Sequence, residues 1–114
     1  MRLDYNEANI LFATVHHMEH MAQRSKSKLI INKSKLDEEI FAVYHNTDTH
    51  YTLVRAAAQS LMNKIDNTSL SDDDIQQILK DKKAFTNEKG TINLRFPYYE
   101  LPSGENNTNS NILL

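Results

Sequence analysis

With 114 residues, the chain has the length of one domain, long enough to bury a core without metal ions or disulfides as staples. It contains no cysteine, which excludes thiolate metal sites, cysteine nucleophiles and disulfide bonds together. Its 13 basic and 15 acidic residues give a formal charge of −2, which argues against a protein that coats nucleic acid indiscriminately.

The N-terminus carries charged residues and lacks a long apolar run, so it resembles neither a signal peptide nor a transit peptide. No window of the sequence approaches the roughly 20 apolar residues of a membrane span. The absence of cysteine fits a reducing compartment. We therefore expect a cytoplasmic protein that does not enter a membrane.

A first amphipathic helix is predicted to end near Arg24. Either Asp4 or Asn6 can cap its start, since an acid then follows in the first turn. Its apolar positions repeat at steps of three and four: Ala8, Leu11, Val15, Met18 and Ala22. Ile10 and Met21 form a second, weaker stripe, which we interpret as a surface for another element or another chain.

The pattern changes after this helix, where serines and lysines precede three consecutive β-prone residues. We predict a loop, a short strand at about 28–32 and then a helix start. Ser34 is a plausible N-cap for that helix, with Asp37 three residues further on as the acid of a capping box.

One apolar phase runs through residues 34–66: Ile40, Tyr44, Thr47, Tyr51, Val54, Ala58, Leu61 and Ile65. Steps of four and three predict one long helix or two nearly collinear helices. Residues 46–49 are poor helix formers whose side chains compete for backbone hydrogen bonds, so a break there is the alternative. We favour continuity because the phase is the same on both sides.

Ser71 and the three aspartates that follow it form the clearest helix start in the sequence. Serine is a preferred N-cap, and carboxylates are favoured at the positive end of the helix dipole. The buried face of this helix is predicted from its apolar positions: Ile75, Ile78, Leu79 and Phe85.

Apolar and polar residues alternate over 91–96, which predicts a half-buried strand that Pro97 ends. Because a lone strand leaves its backbone unpaired, we pair it with about 28–32; a strand from another subunit is the alternative. The predicted fold class is mainly α, a small bundle of three to four helices with this minor β pair. Residues 1–101 form a single helical domain, and 102–114 are predicted to be a flexible, disordered tail.

A histidine cluster is the first candidate site. His16 and His20 lie one helical turn apart with Glu19 at the edge of that face, the spacing that two imidazoles need to share zinc. The string from 16 to 20 resembles the inverted zinc-protease signature His-Xaa-Xaa-Glu-His, and this five-residue resemblance implies zinc bound by the two histidines. A second group, which consists of His45, Asp48 and His50, can complete such a site if two helices pack antiparallel.

Two alternatives for these histidines stay open. They are either partly exposed polar residues beside helix contacts, or a proton-sensitive contact, since histidine titrates near neutral pH. We expect no cofactor unless the cluster binds zinc or another divalent metal.

Two basic runs are the second candidate site. Residues 24–35 hold five cations and no acid: Arg24, Lys26, Lys28, Lys33 and Lys35. Residues 80–89 add four lysines. If the predicted strands pair, both runs lie on one edge and can touch phosphates, although solvated loop faces are the alternative.

Apolar residues near the C-terminus are candidates for contact with a partner. Tyr98 and Tyr99 can stack on a base or on a partner's side chain, or can cover the open end of a small core. Ile112, Leu113 and Leu114 look like a short docking peptide at the tip of a polar tail, or form an end without a role.

The leading hypothesis is a small interaction or regulatory protein that binds a macromolecular partner through helix faces, with a homo-oligomer left open. No catalytic constellation is visible, which favours a protein that is not an enzyme. The asparagine-, lysine- and isoleucine-rich composition suits a phage or mobile element. The alternatives are a metal-dependent enzyme or sensor and a nucleic-acid-binding regulator.

Overall fold

The computed structural model describes residues 1–45, 52–89, 91–93 and 97–102. These residues form, in chain order, β1 (Arg2–Asp4), α1 (Tyr5–Arg24), α2 (Lys33–Ile40), a π-helical turn (Phe41–His45), α3 (Thr52–Asp66), α4 (Asp72–Phe85) and β2 (Tyr98–Glu100). The predicted class is confirmed, since the chain is mainly helical with a minor antiparallel pair of strands. Within the described ranges, each helix is too short or too polar to cross a bilayer.

Capping residues confirm the predicted starts of α1 and α4. The carboxylate of Asp4 accepts the Glu7 N–H at 2.8 Å, and the Glu7 carboxylate accepts the Asp4 N–H at 2.8 Å. Ser71 and Asp74 form the same reciprocal arrangement at the start of α4. Each box satisfies two backbone donors that have no partner inside the helix.

The predicted cap of α2 is wrong by two residues. The side chain of Asn32, in extended conformation, accepts the Lys35 N–H at 2.8 Å, and the helix begins at Lys33. Ser34 therefore lies inside the first turn. Asparagine is as good an N-cap as serine, so the earlier of two competing caps sets the start.

α2 and α3 are antiparallel neighbours, so the prediction of a long or collinear helix over 34–66 is wrong. The ammonium of Lys33 donates to the carbonyls of Asp66 at 3.0 Å and Thr68 at 2.9 Å, at the far end of α3. A continuous helix, at about 1.5 Å per residue, would separate these ends by about 50 Å. The chain reverses direction between the two helices, and residues 46–49, the predicted break, lie outside the described ranges.

The apolar phase nevertheless identifies the buried side of both helices. Its described members are buried or pack against the core: Ile40, Tyr44, Val54, Ala58, Leu61 and Ile65. Thr47 and Tyr51 fall outside the described residues. The spacing predicts which face is buried, but the same spacing fits a straight helix and two helices that fold back on each other.

The minor β pair is confirmed, but its strands are not the predicted ones. β1 pairs antiparallel with β2 and sets Leu3 opposite Tyr99, both buried. The Leu101 N–H extends the pairing to the Met1 carbonyl at 2.8 Å. Each strand has three residues, too few for alternation to identify it in the sequence.

Residues 28–32 form no strand. Leu29 and Ile31 pack against the core from irregular backbone, so their apolar character reflects burial and not sheet pairing. Ile92 is also buried, and it forms an isolated antiparallel bridge with Thr86 just after α4. Residues 94–96 of the predicted strand lie outside the described part of the chain.

α1 is the centre of the fold, because it contacts both strands and the three other α-helices. At one end of the core, the Phe12 ring lies 5.0 Å from the Tyr99 ring and 6.2 Å from the Phe85 ring, between centroids. This central position gives α1 one flank beside α4 and another beside α3. The candidate sites lie along these two flanks.

Candidate partner-binding site

The metal-candidate residues of α1 surround a lysine. Nζ of Lys82, from α4, lies 2.7 Å from Oε1 of Glu19 and 3.5 Å from Nδ1 of His16. Lys82 is buried, so its ammonium needs such partners. A cation of the chain itself therefore lies between two of the predicted ligands, where its charge repels a metal ion.

The remaining histidines add no described ligand to this cluster. His20 is exposed and lines a cavity with His16 and Lys82. Asp48, His50 and the side chain of His45 lie outside the described residues. In the part of the chain that the structure describes, no group of three histidine, aspartate or glutamate side chains converges as metal ligands do. Metal binding stays a prediction.

Several lysines of the basic runs bind acceptors of the chain itself. Lys33 binds the carbonyls at the end of α3, and Lys35 pairs with Glu38 at 3.0 Å. Lys82 is held by the α1 carboxylate described above. The other candidates of the first run are exposed: Arg24, Lys26 and Lys28. Phosphate binding by these runs stays a prediction.

The two tyrosines of β2 face opposite sides of the strand. The Tyr99 hydroxyl donates to Oδ2 of Asp81 at 2.6 Å, and burial together with this carboxylate raises the pKa of Tyr99 well above its usual range. Tyr98 lies at the surface, where the Arg2 guanidinium is 4.3 Å from the centre of its ring. Tyr99 thus covers the end of the core.

Ile10 and Met21 do not share a surface. Met21 is half exposed and lines a groove that also carries Lys28 and Glu39. Ile10 is buried and contributes to a different groove, between α1 and α3. The apolar terminus at 112–114 lies outside the described residues.

The groove beside Ile10 is our candidate binding site for a partner. We call it the α1/α3 groove, and its volume is about 370 Å³. Seven side chains from α1, the π-helical turn and α3 line it: Asn6, Asn9, Ile10, Tyr44, Leu53, Val54 and Ala57. Positions 6, 9 and 10 share one face of α1, as residues three and four apart do.

Leu53 stands at the edge of this groove with 83 % of its surface exposed, the highest value among the large apolar residues described as exposed. It belongs to the first turn of α3, and Ala57 follows it four residues later on the same helix face. An apolar side chain so exposed gains little from folding, since burial is what stabilises it.

None of the described residues that line the α1/α3 groove is charged, although a quarter of the chain is charged. Three other grooves of the described surface each carry charge, including Arg55 in one, Lys82 in the next and Lys28 in the third. The centres of protein interfaces are depleted in charged residues and enriched in aromatic ones. The described lining shares the depletion of charge and includes one aromatic residue, Tyr44.

An ion pair between a buried carboxylate and a half-buried lysine fixes the two walls of the groove to each other. Glu7 of α1 accepts from Lys64 Nζ of α3 at 2.8 Å and also accepts the Ser60 hydroxyl. Burial alone raises the pKa of the Glu7 carboxyl, but the hydrogen bonds from Lys64, Ser60 and the Asp4 N–H together lower it. The carboxylate is therefore charged at neutral pH and joins both helices directly beside the groove.

The floor of the groove is also held by hydrogen bonds. The Tyr44 hydroxyl bonds to the Thr14 side chain, and the Thr14 hydroxyl donates to the Ile10 carbonyl at 2.7 Å. Burial raises the pKa of Tyr44, so its hydroxyl stays neutral. The groove is thus preformed by contacts that do not involve its occupant.

Sequence reasoning missed Leu53 because the apolar phase assigns its neighbour Val54 to the core. Adjacent helical residues are about 100° apart, so packing Val54 inward turns Leu53 outward. A large apolar residue one position out of phase with a buried stripe is the signal that could have identified it. That signal depends on first knowing which face is buried.

No family model, curated protein or solved structure matches this chain.

Proposed function

We propose that this chain is a small interaction protein without catalytic activity, and that it binds an apolar helical segment of a protein partner in the α1/α3 groove. The observation that carries the proposal is the 83 % exposure of Leu53 at the edge of a groove whose described lining residues are all uncharged. A helix laid into an apolar groove is a recurrent mode of recognition, with anchors on one helix face.

The lining supports an apolar occupant. Ile10, Val54 and Ala57 offer aliphatic surface, and Tyr44 adds an aromatic ring whose hydroxyl is already bonded. Among the described lining residues, Asn6 and Asn9 add amide groups, which can both donate and accept hydrogen bonds. A charged segment would lose hydration in this groove without gaining an ion pair from any described lining residue.

The rigid walls of the groove favour tight binding, because they need not rearrange around a partner. The bonds of Glu7 to Lys64 and Ser60 hold α1 against α3 in the unbound chain. Binding to a preformed groove requires less ordering of the protein, so more of the contact energy appears as affinity.

Photo-crosslinking in cells of the source organism tests this proposal. A photoreactive amino acid in place of Leu53 should form adducts with a protein, whereas the same amino acid in place of Gln76, exposed on α4, should form far fewer. Adducts at position 53 should disappear when Asn9→Lys puts a charge into the groove. An adduct supports the proposal only if Asn9→Lys removes it. This holds for an adduct with any protein, including a second copy of this chain.

Two results would contradict the proposal. One is crosslinking at position 53 no stronger than at position 76, and the other is crosslinking at 53 that Asn9→Lys leaves unchanged. Circular dichroism of the Asn9→Lys variant supplies the control for folding, because lysine is a better helix former than asparagine and Asn9 is not part of the buried core.

A further inference from the structure

We infer that a cavity between α1 and α4 binds a phosphate group, with the Lys82 ammonium as the main charge that holds it. We call it the α1/α4 cavity. Its walls are Lys82 and Lys83 of α4 together with side chains of α1 and of the loop that follows α1. Its volume of about 510 Å³ is that of a pocket for a small ligand. The site lies on the flank of α1 beside α4, so the inference does not depend on the α1/α3 groove.

Lys82 is a buried cation in the wall of this cavity. Only 7 % of its surface is exposed, and its ammonium lies 2.7 Å from Oε1 of Glu19 and 3.5 Å from Nδ1 of His16. An ammonium has three hydrogens, so these two described contacts leave one for a ligand. Burying an ion pair adds little to stability, because removing the charges from water offsets their attraction. A ligand that uses the charge gives its burial a function that folding alone does not.

The described lining of the α1/α4 cavity favours an anion with several acceptor oxygens. Its two lysines outnumber its one acid, Glu19. Because an ammonium only donates, Nδ1 of His16 accepts from Lys82, and the neutral form of this ring then carries its proton on Nε2 as a further donor. The Ser27 hydroxyl lines the same cavity. A phosphate monoester has three strong acceptor oxygens and close to two charges, so it matches these donors better than a carboxylate does.

The rest of the cavity accommodates an organic group attached to the phosphate. Ala22 and Leu29 add apolar surface to the lining. Small phosphate monoesters and the terminal phosphate of a nucleic acid strand share the chemistry that the lysines recognise. The two sources are distinguished by the probes used below.

Calorimetric titration of the intact chain with inorganic phosphate tests the inference. In about 0.15 M sodium chloride, which screens exposed lysines, we expect a Kd of about 1 mM or tighter. Lys82→Met keeps the apolar stem and removes the ammonium, so it should weaken binding about tenfold or more, and Lys83→Gln should weaken it about threefold or more. Lys80→Gln removes the same charge from an exposed position of α4 outside the described lining, and it should leave the affinity unchanged.

Glu19→Gln gives the decisive result. The charge of Glu19 repels a phosphate bound to Lys82, so this variant should bind phosphate about threefold more tightly or better. Glu88→Gln removes the same charge from an exposed residue outside the described lining and should have no such effect. If the pair of Glu19 with Lys82 only joins α1 to α4, Glu19→Gln lowers the thermal midpoint and brings no gain in phosphate affinity.

Titrations with glycerol phosphate and with a short DNA strand that carries a terminal phosphate identify the source of the ligand. A strand that binds more tightly than glycerol phosphate, and loses that binding in the Lys82→Met chain, assigns the site to nucleic acid ends. A strand that binds no more tightly assigns it to small phosphate monoesters.

Three results would overturn the inference. They are no binding of phosphate up to about 10 mM, an affinity that Lys80→Gln lowers as much as Lys83→Gln does, and an affinity that Glu19→Gln fails to raise. Circular dichroism of each variant is the control for folding. If Lys82→Met does not fold, Lys83→Gln and Glu19→Gln still decide, because neither changes a buried residue.

Discussion

The antiparallel contact of α2 with α3 brings two carboxyl groups together, and this predicts an unusual effect of Asp37→Asn. The Asp37 side chain hydrogen-bonds to Asp66, and its Oδ1 is buried without a donor. Burial, the hydrogen bond with Asp66 and the charge of Asp66 raise the pKa of Asp37 to about 6, against a smaller opposing effect of the Lys33 ammonium. Two ionised carboxylates only accept hydrogen bonds, so the pair needs one proton.

The sign and size of the effect follow from this shift. The folded pKa of Asp37 lies above its ordinary value of 3.8, so the folded state holds the proton more tightly than the unfolded state. The resulting stabilisation is complete below pH 3.8 and is lost as the pH rises through about 6. At about 1.4 kcal/mol per pKa unit the full shift is about 3 kcal/mol, and solvent screening of this partly exposed pair reduces it to about 1 to 2 kcal/mol.

Asparagine at position 37 supplies an amide donor to Asp66 at every pH. The Asp37→Asn chain should therefore be about 1 to 2 kcal/mol more stable than wild type at pH 8, and this gain should vanish near pH 4. Urea unfolding followed by circular dichroism between pH 4 and pH 8 measures the difference. Glu88→Gln, an exposed change of the same chemical kind, is the control and should show no such dependence.

Two results would refute this reasoning. If Asp37→Asn lowers the free energy of unfolding at pH 8, the ionised Asp37 carboxylate makes a favourable interaction, and a proton shared with Asp66 does not explain its role. If the gain is the same at pH 4 and pH 8, the effect is not one of protonation. Asp66→Asn should reproduce the pH dependence, because either amide can take the place of the shared proton.

Three further substitutions test other contacts. Glu7→Gln should lower the free energy of unfolding by about 1 to 2 kcal/mol at pH 7, because Lys64 loses its charged partner but stays partly exposed and keeps the Arg2 carbonyl as an acceptor. Since the pKa of Glu7 is lowered, that loss, measured by urea unfolding, should shrink as the pH falls below 4.5. Lys82→Ala should raise the affinity of the untagged protein for zinc, measured by calorimetry, because no ammonium then repels the ion from Glu19. An unchanged affinity would show that Lys82 does not hinder zinc binding. Tyr99→Phe should cost about 1 to 2 kcal/mol in urea unfolding, since the buried hydroxyl no longer donates to its carboxylate.

The helix starts could be predicted because the interactions that fix them are local. At Asp4 and at Ser71, the N-cap residue and the acidic residue of its capping box lie three residues apart. The local sequence therefore contains both partners of the interaction. The start of α2 was wrong because Asn32 and Ser34 are both good caps and spacing alone does not rank them.

The strand pairing and the direction of α3 could not be predicted, because both depend on distant parts of the chain. β1 and β2 lie almost a hundred residues apart and are three residues each, so neither gives an alternating pattern. The reversal between α2 and α3 leaves the apolar phase intact, and long-range contacts such as those of Lys33 with Asp66 and Thr68 distinguish a hairpin from a straight helix.

The candidate sites differ in the same way. The spacing of His16 and Glu19 on α1 was predicted correctly, but nothing in that spacing identifies Lys82 of α4 as the group between them. Leu53 was missed for a related reason, because its exposure follows from how Val54 packs and not from its own neighbours in sequence.

The exposure of Leu53 also separates stability from binding in this chain. Apolar surface contributes about 25 cal/mol per Å² when it leaves water, and folding buries only a small part of this side chain. A substitution there should therefore leave the free energy of unfolding nearly unchanged, in contrast to changes at Glu7 or Leu61, which are buried. If Leu53→Glu abolishes association while the thermal midpoint stays constant, the contact energy at this position belongs to the complex and not to the fold.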